Sequence, residues 1–327
     1  MKKSVSILLV ALLLGSCTGK RHNFDRGIIP PVPVNFSSVN SAYDDYNSDI
    51  HISWAEQTFS LFFSSNRNSY GNDFDFVSYI GTVSFDLVDG AFTEYSSSVD
   101  FYILETLNSS SNEFGPFFTN DVTSDYYWSG EGRFFYSSDR NGTLDIFCCD
   151  YNSEETAYNP VEDPFPLVSL NTEYDEGYLT IHNDEVADHE TVYFTSDRDG
   201  TFDIYQAEGE AGTLIDESPT VNITRMSQLS SSADDKCPYV NGNIMVFASD
   251  REGGFGGFDL WYSIWDGQQW LDPVNFGDKI NTEYDEYRPV VVITDKERFF
   301  NDMIIFSSDR PGGKGGFDLY YVGISGL

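Results

Sequence analysis

Ile304-Ile-Phe-Ser-Ser-Asp-Arg310, a glycine-rich turn, and then Gly316-Phe-Asp-Leu-Tyr320 form a unit of which weaker copies occur four more times upstream. The copies are Ser65-Asn-Arg67 with Phe74-Asp-Phe76, Ser138-Asp-Arg140 with Leu144-Asp-Ile146, Ser196-Asp-Arg198 with Phe202-Asp-Ile204, and Ser249-Asp-Arg251 with Phe258-Asp-Leu260. Only the first departs, with Asn66 in place of aspartate. The arginines at 67, 140, 198, 251 and 310 lie 73, 58, 53 and 59 residues apart, a spacing suited to one four-stranded propeller blade per unit.

Working outward from the turn, a second repeated element precedes each unit. It reads Asn40-Ser-Ala-Tyr-Asp-Asp45, Ser124-Asp-Tyr126, Asn171-Thr-Glu-Tyr-Asp-Glu176, Ser232-Ala-Asp-Asp235 and Asn281-Thr-Glu-Tyr-Asp-Glu286. Each is a turn feeding a strand. Two β-rich runs follow, such as 287–293 and 303–306, and a third strand begins at the Phe-Asp step, as in 318–324 or 259–264. A fourth is expected at 270–276 and 219–223. Its earliest copy, Pro33-Val-Asn-Phe36, stands ahead of unit one, whereas unit five has none of its own. Pairing the two closes a ring and hides a strand edge. The expected fold is all-β: a single five-bladed β-propeller of four-stranded antiparallel blades over residues 31–327, closed by an N-terminal strand.

The turn residues Asn66, Asp139, Asp197, Asp250 and Asp309 are expected to accept hydrogen bonds from loop N–H groups. Arg67, Arg140, Arg198, Arg251 and Arg310 offer five-donor forks suited to a carboxylate of the same or the next unit, locking neighbouring blades. A catalytic site is normally built once, so a pair present in every unit reads as structural.

Phe306-Ser-Ser-Asp-Arg-Pro-Gly-Gly with Asp318-Leu-Tyr, and Trp270 through Asn275 ahead of Asn281-Thr-Glu-Tyr-Asp-Glu, resemble the WD-like propeller repeats of TolB-type proteins. Similar repeats occur in envelope lipoproteins of Bacteroidota. That resemblance implies a binding or scaffold module rather than an enzyme.

The N-terminus agrees with an envelope location. Met1-Lys-Lys3, the apolar run from Val5 to Leu14 and Leu14-Gly-Ser-Cys17 make residues 1–17 a secretory signal whose end resembles a lipobox, with Cys17 as the lipid-bearing residue. Residues 18–30 are expected to be a tether. The basic stretch Thr18-Gly-Lys-Arg-His22 favours an outer-membrane anchor facing the periplasm. The formal charge of −35 argues against nucleic acid, and against contact with a membrane other than through the lipid. It leaves open a basic partner or calcium.

Three non-repeated stretches are candidate sites. Residues 182–190 bring His182, Asp184, Asp188 and His189 close in sequence, residue types that ligate zinc, although the spacing matches no metal motif and a solvated hairpin tip is the preferred reading. Asp197-Arg-Asp199-Gly200 resembles the start of a calcium loop, but no glutamate closes a twelve-residue loop, and other units lack Asp199. Trp265-Asp-Gly-Gln-Gln-Trp270 places indoles beside an Asp-Gly turn; packing between blades is preferred over sugar stacking. No nucleophile elbow or phosphate loop is present. The expected function is a monomeric, cofactor-free, non-enzymatic module that binds an envelope protein or glycan. The alternative is a glycoside hydrolase or lyase with unlike carboxylates at the channel.

Overall fold

The computed structural model describes residues 22–53, 56–120, 130–154, 157–160, 162–184, 189–210 and 221–325. It is all-β apart from one short helix, and its sheets form five blades. In chain order, β1 (Val34–Asn35) precedes blade one, which is β2 (Asp45–Ser53), β3 (Thr58–Ser65), β4 (Asp75–Phe85) and β5 (Phe92–Ser98). The helix α1 (Leu104–Leu107) leads into blade two: β6 (Glu113–Asn120), β7 (Gly130–Ser138) and β8 (Asp145–Glu154), with β9 (Ala157–Pro160) and β10 (Phe165–Pro166) both pairing with β8. Blade three is β11 (Glu176–Asp184), β12 (His189–Ser196), β13 (Asp203–Glu210) and β14 (Asn222–Arg225). Blade four is β15 (Asp235–Asn241), β16 (Ile244–Ser249), β17 (Asp259–Ile264) and β18 (Val274–Asn275). Blade five is β19 (Glu286–Val292), β20 (Asp302–Ser308) and β21 (Asp318–Ile324), and its fourth strand is β1, antiparallel to β21 with Val34 opposite Tyr321 and Asn35 opposite Tyr320. The closure expected from the spare N-terminal strand is present.

Each repeated residue has one job, and the paired acids divide the work. The first acid joins blades: its side chain accepts the N–H of the residue before the third strand of the preceding blade. Phe317 donates to Asp44, Leu144 to Asp175, Phe202 to Asp234 and Phe258 to Asp285, at 2.7–3.1 Å. The second acid stays inside its own blade and takes the arginine, in the pairs Arg67–Asp45, Arg198–Glu176, Arg251–Asp235 and Arg310–Glu286. Of the two partners expected for the arginine fork it takes the carboxylate of its own unit, so it does not lock neighbouring blades. The turn aspartate accepts the lead-in N–H, as Asp309 does from Asp285 at 2.9 Å. Asn66 does the same for Asp44 through its carbonyl oxygen, which is why the departure in unit one is tolerated.

Blade two corrects the sequence reading. Its paired element is Asn112-Glu113, not Ser124-Asp-Tyr126, which lies outside the described residues. Asn112 accepts from Phe74 N–H at 3.0 Å, and Arg140 reaches Glu113 at 2.9 Å. Asparagine offers the same acceptor as the first aspartate, so the clasp survives without the Asp-Asp or Asp-Glu signature. The fourth strand of blade four is also shorter than 270–276: only Val274 and Asn275 pair, and Trp270 instead bridges back to Trp265.

All five inner strands carry a bulge two residues after the second acid, where the chain takes a positive φ: Asn47, Gly115, Tyr178, Cys237 and Arg288. Bulges sharpen twist and re-aim side chains, and here they do so around the ring axis. The stretch 18–30, read as a tether, is held to the ring from Asn23 onward. Asn23 N–H bonds Leu87 O, Gly27 and Phe299 form a parallel bridge, and buried Ile29 exchanges two hydrogen bonds with the Asn301 side chain.

Candidate functional site

Because the repeated polar residues are occupied in clasps, a site has to come from positions that differ between blades. Two such places stand out.

The first is the ring axis. The bulge residues Asn47, Tyr178, Cys237 and Arg288, with Asp49 and Tyr239 two positions further on, fill it with unlike side chains. Tyr239 donates to Asp49 across the ring at 3.2 Å, and Asp49 also accepts from Phe118 N–H and Ile50 N–H, each at 3.0 Å. Arg288, 0% exposed, donates to Pro116 O at 3.0 Å and lies 5.8 Å from the ring centroids of Tyr178 and Tyr239. Burial raises the Asp49 carboxyl from 3.8 to about 6, against the pull of Arg288. Burial likewise pushes the Cys237 thiol to about 12 and the Tyr178 and Tyr239 phenols well above their usual range. At these bulge and following positions Asp49 is the one carboxylate, and it is 2% exposed. A glycosidase needs two carboxyl groups reached by substrate, and among the described residues these axial positions hold one, which is buried.

The second is a groove of 390 Å³ between blades three and four. Its floor is one face of blade three, where His182, Thr191 and Glu208 are cross-strand neighbours on β11, β12 and β13, and Tyr193 pairs with Gln206. Period-two alternation puts all five on the same side of the sheet. Its wall is the hairpin Trp265–Trp270 that follows β17, with Met226 and Gln228 from the connection between the blades. The indoles meet edge to face at 5.5 Å, and Trp270, 2% exposed, donates through Nε1 to Tyr193 Oη at 3.0 Å. The hairpin tip is fixed by Asp266, which accepts from Gln268 and Gln269 N–H and is held below its ordinary value by those bonds, while Gly267 supplies a φ of +97°. Gln206 donates to Glu208 at 3.4 Å, and Gln228 donates to Asp272 beside the groove. The Tyr193 phenol, raised to about 12 chiefly by burial, stays protonated.

The groove thus offers a half-exposed indole face, several amides and a carboxylate. That lining suits a ligand with apolar C–H faces and many hydroxyls.

Two stretches singled out separately in sequence meet here: His182 from the first and Trp265–Trp270 from the third. Trp270 packs as expected, while Trp265 faces the groove. Asp184 and His189 stand opposite each other in the backbone register of β11 and β12, and Asp188 lies outside the described residues. Among the described residues no group of three or more His, Cys, Asp or Glu is placed to hold a metal ion. At the calcium-like turn, Asp197 accepts from Asp175 N–H and Asp199 from Tyr205 Oη. Cys17 lies outside the described residues. Sequence reading missed Tyr193, Gln206 and Glu208, because they sit in strands taken as scaffold. A signal existed: Gln206 stands where the third strands of units four and five carry Tyr262 and Tyr321.

No protein-family model matches the chain, and no curated protein sequence matches it. Solved structures do share its fold. A thermostable family-43 glycoside hydrolase superimposes with a TM-score of 0.59 at 12% identity, over 87% of this chain and 91% of that one. A GH62 hydrolase in complex with xylotriose gives 0.53 at 10% identity, over 91% and 97%. A fructofuranosidase from Schwanniomyces occidentalis complexed with fructosylnystose gives 0.53 at 13%, over 89% and 57%. At such identities the likeness is one of fold. It nevertheless overturns the expectation of a non-enzymatic module, since the propellers that share this fold are glycoside hydrolases.

Proposed function

We propose that the protein is a glycoside hydrolase whose saccharide lies in the groove between blades three and four, not at the ring axis. The observation that carries this reading is the convergence of the Trp265 indole, the Gln206, Gln268 and Gln269 amides, His182 and the Glu208 carboxylate on one concave surface, all from non-repeated positions. Hydrolysis of a glycosidic bond uses two carboxyl groups. Glu208, the carboxylate in the lining, is assigned to proton exchange with the glycosidic oxygen or the attacking water, and Asp272, outside the lining but bound to its Gln228, is assigned as the second carboxyl. The formal charge of −35 and the acids at the groove favour a neutral glycan over a polyanionic one.

The test is release of reducing ends from a panel of neutral oligosaccharides that includes xylotriose and fructosylnystose. Turnover of at least one is expected, with Glu208→Gln lowering it by roughly 10²–10⁴-fold at unchanged melting temperature, the range for loss of a general acid or base. Absence of both turnover and binding across the panel, or full activity in Glu208→Gln and in Asp272→Asn, overturns the assignment.

The Ser-Asp-Arg and Phe-Asp-Leu-Tyr repeats support a TolB-type character for the blade turns, taken as a likeness of turn chemistry and not of activity. The lead-in from Met1 to Cys17 supports lipid attachment at Cys17 in the outer membrane, and the basic stretch Thr18-Gly-Lys-Arg-His22 supports a periplasm-facing side.

A further inference from the structure

The place that the groove occupies on blade three has a counterpart on blade one, where the chemistry is different. Counting from Asp203 and Asp75, which open the third strands, Ile80 stands where Glu208 stands. Counting back from Ser196 and Ser65, Ser60 stands where Thr191 stands. Ser60 pairs with Ile80 across β3 and β4, as Thr191 pairs with Glu208 across β12 and β13. A second concavity, of 410 Å³, opens at this point.

Its floor is one face of blade one. Thr58, Thr82 and Tyr95 form a row across β3, β4 and β5, and Ser60, Ile80 and Ser97 form the next. Period-two alternation sets both rows on the same side of the sheet. Val99 and Phe101, from the connection to blade two, supply the wall that Met226 and Gln228 supply in the groove. Phe101 is 4% exposed and stacks on Phe62 at 5.5 Å, so this wall is backed by the core between blades one and two. Tyr95, 73% exposed, and Ile80, 42% exposed, are the solvent-facing members.

We propose that this pocket binds an uncharged aromatic ring carrying one hydrogen-bonding substituent, at a site separate from the groove. The volume lies in the range of small-molecule pockets, and aromatic side chains stand both in the wall and at the opening, where a flat ring finds offset and edge-to-face contacts. Charge excludes an organic anion. Glu56 is the one charged side chain of the lining, no lysine or arginine faces it there, and the chain carries −35 overall. The substituent follows from two hydroxyls. Ser60 is 0% exposed, and among the described residues neither its Oγ nor the shielded Oγ1 of Thr58 has a hydrogen-bond partner. Buried hydroxyls are ordinarily paired, and these two stand in the rows that form the floor, free to donate to a ligand carbonyl or to accept from a ligand hydroxyl. Replacing Glu208 and Thr191 by Ile80 and Ser60 thus turns the same place between blades from a polar groove into an apolar pocket.

Benzophenone tests this, because it joins two uncharged rings to a carbonyl and on irradiation labels the residues it rests against. With the full-length protein, labelling should saturate and should map by mass spectrometry to residues 56–60, 80–82 and 95–101. Ile80→Glu sets an unpaired carboxylate against the ring and should cut labelling about tenfold or more at an unchanged melting temperature. Tyr95→Ala should weaken it several-fold, Glu208→Gln should leave it as it is, and 4-benzoylbenzoate, the anionic analogue, should label far less. Labelling that centres on residues 182–208 and 265–270, that spreads without saturating, or that persists in Ile80→Glu would overturn the proposal. So would a dimer that Tyr95→Ala dissolves and benzophenone does not enter, which gives the pocket to a second copy of the chain. None of these outcomes depends on whether the groove cleaves a glycan.

Discussion

Arg310→Met isolates what one clasp contributes to the ring. Glu286 is 0% exposed and Arg310 13%, and the guanidinium donates to Glu286 Oε1 at 2.8 Å, to Ile280 O at 2.7 Å and, through Nε, to Ser308 Oγ. It also lies over Phe306 and Tyr320, at 5.1 and 5.0 Å from their centroids, packing that methionine partly retains. Burial already raises the Glu286 carboxyl, with Arg310 among the groups opposing the rise. Removing the guanidinium leaves a buried anion without its cation, at a cost of about 3–5 kcal/mol. At ~2 °C per kcal/mol for a chain of this size, the melting temperature should drop by roughly 6–10 °C. A carboxyl whose folded value is raised stabilises most below its unfolded value and loses that contribution as pH rises, so the defect should be larger at pH 7 than near pH 4. Arg310→Met combined with Glu286→Gln removes both charges and keeps an acceptor for Thr282 N–H, and should recover most of the loss. Urea titration and calorimetry at the two pH values provide the readout. A loss below about 1 kcal/mol, or a double variant worse than the sum of the singles, would refute the view that the acid–arginine pair is a buried and coupled clasp.

Two other expectations are independent of that clasp. Asp49, ordinarily 3.8 and raised to about 6 in the folded ring, should make stability fall as pH climbs through that window, by about 3 kcal/mol in all; Asp49→Asn should flatten the slope, and an unchanged slope would mean that the axial carboxyl is not the titrating group. Metabolic labelling with a fatty-acid analogue should mark the wild type and not Cys17→Ser, and equal labelling of the two would remove the lipid anchor at that position.

The blade count, the ring closure and most turn chemistry were legible in the sequence because each is local and repeated. A hydrogen-bonded turn needs its Ser, Asp and Arg within a few residues, so five copies left five signatures, and the spare Val34–Asn35 strand marked the closure. Unit two was misplaced because Asn112 does the work of an acid while looking unlike one. The division of labour within the acid pair was not legible, since Asp285 and Glu286 are neighbours in sequence but turn to different blades.

The site depended on what strand alternation and ring geometry bring together. His182, Glu208 and Trp265 are spread over 84 residues of chain, and only the stacking of blade four on blade three sets them around one groove. Asp49, Tyr239 and Arg288 are farther apart still, and they meet because a bulge at the same position in five strands turns unlike side chains toward one axis. Sequence determined the repeated framework, whose contacts are short-range and written once per blade. Tertiary structure decided every feature made of residues that occur once, because their proximity arises from closing the ring and from no pattern along the chain.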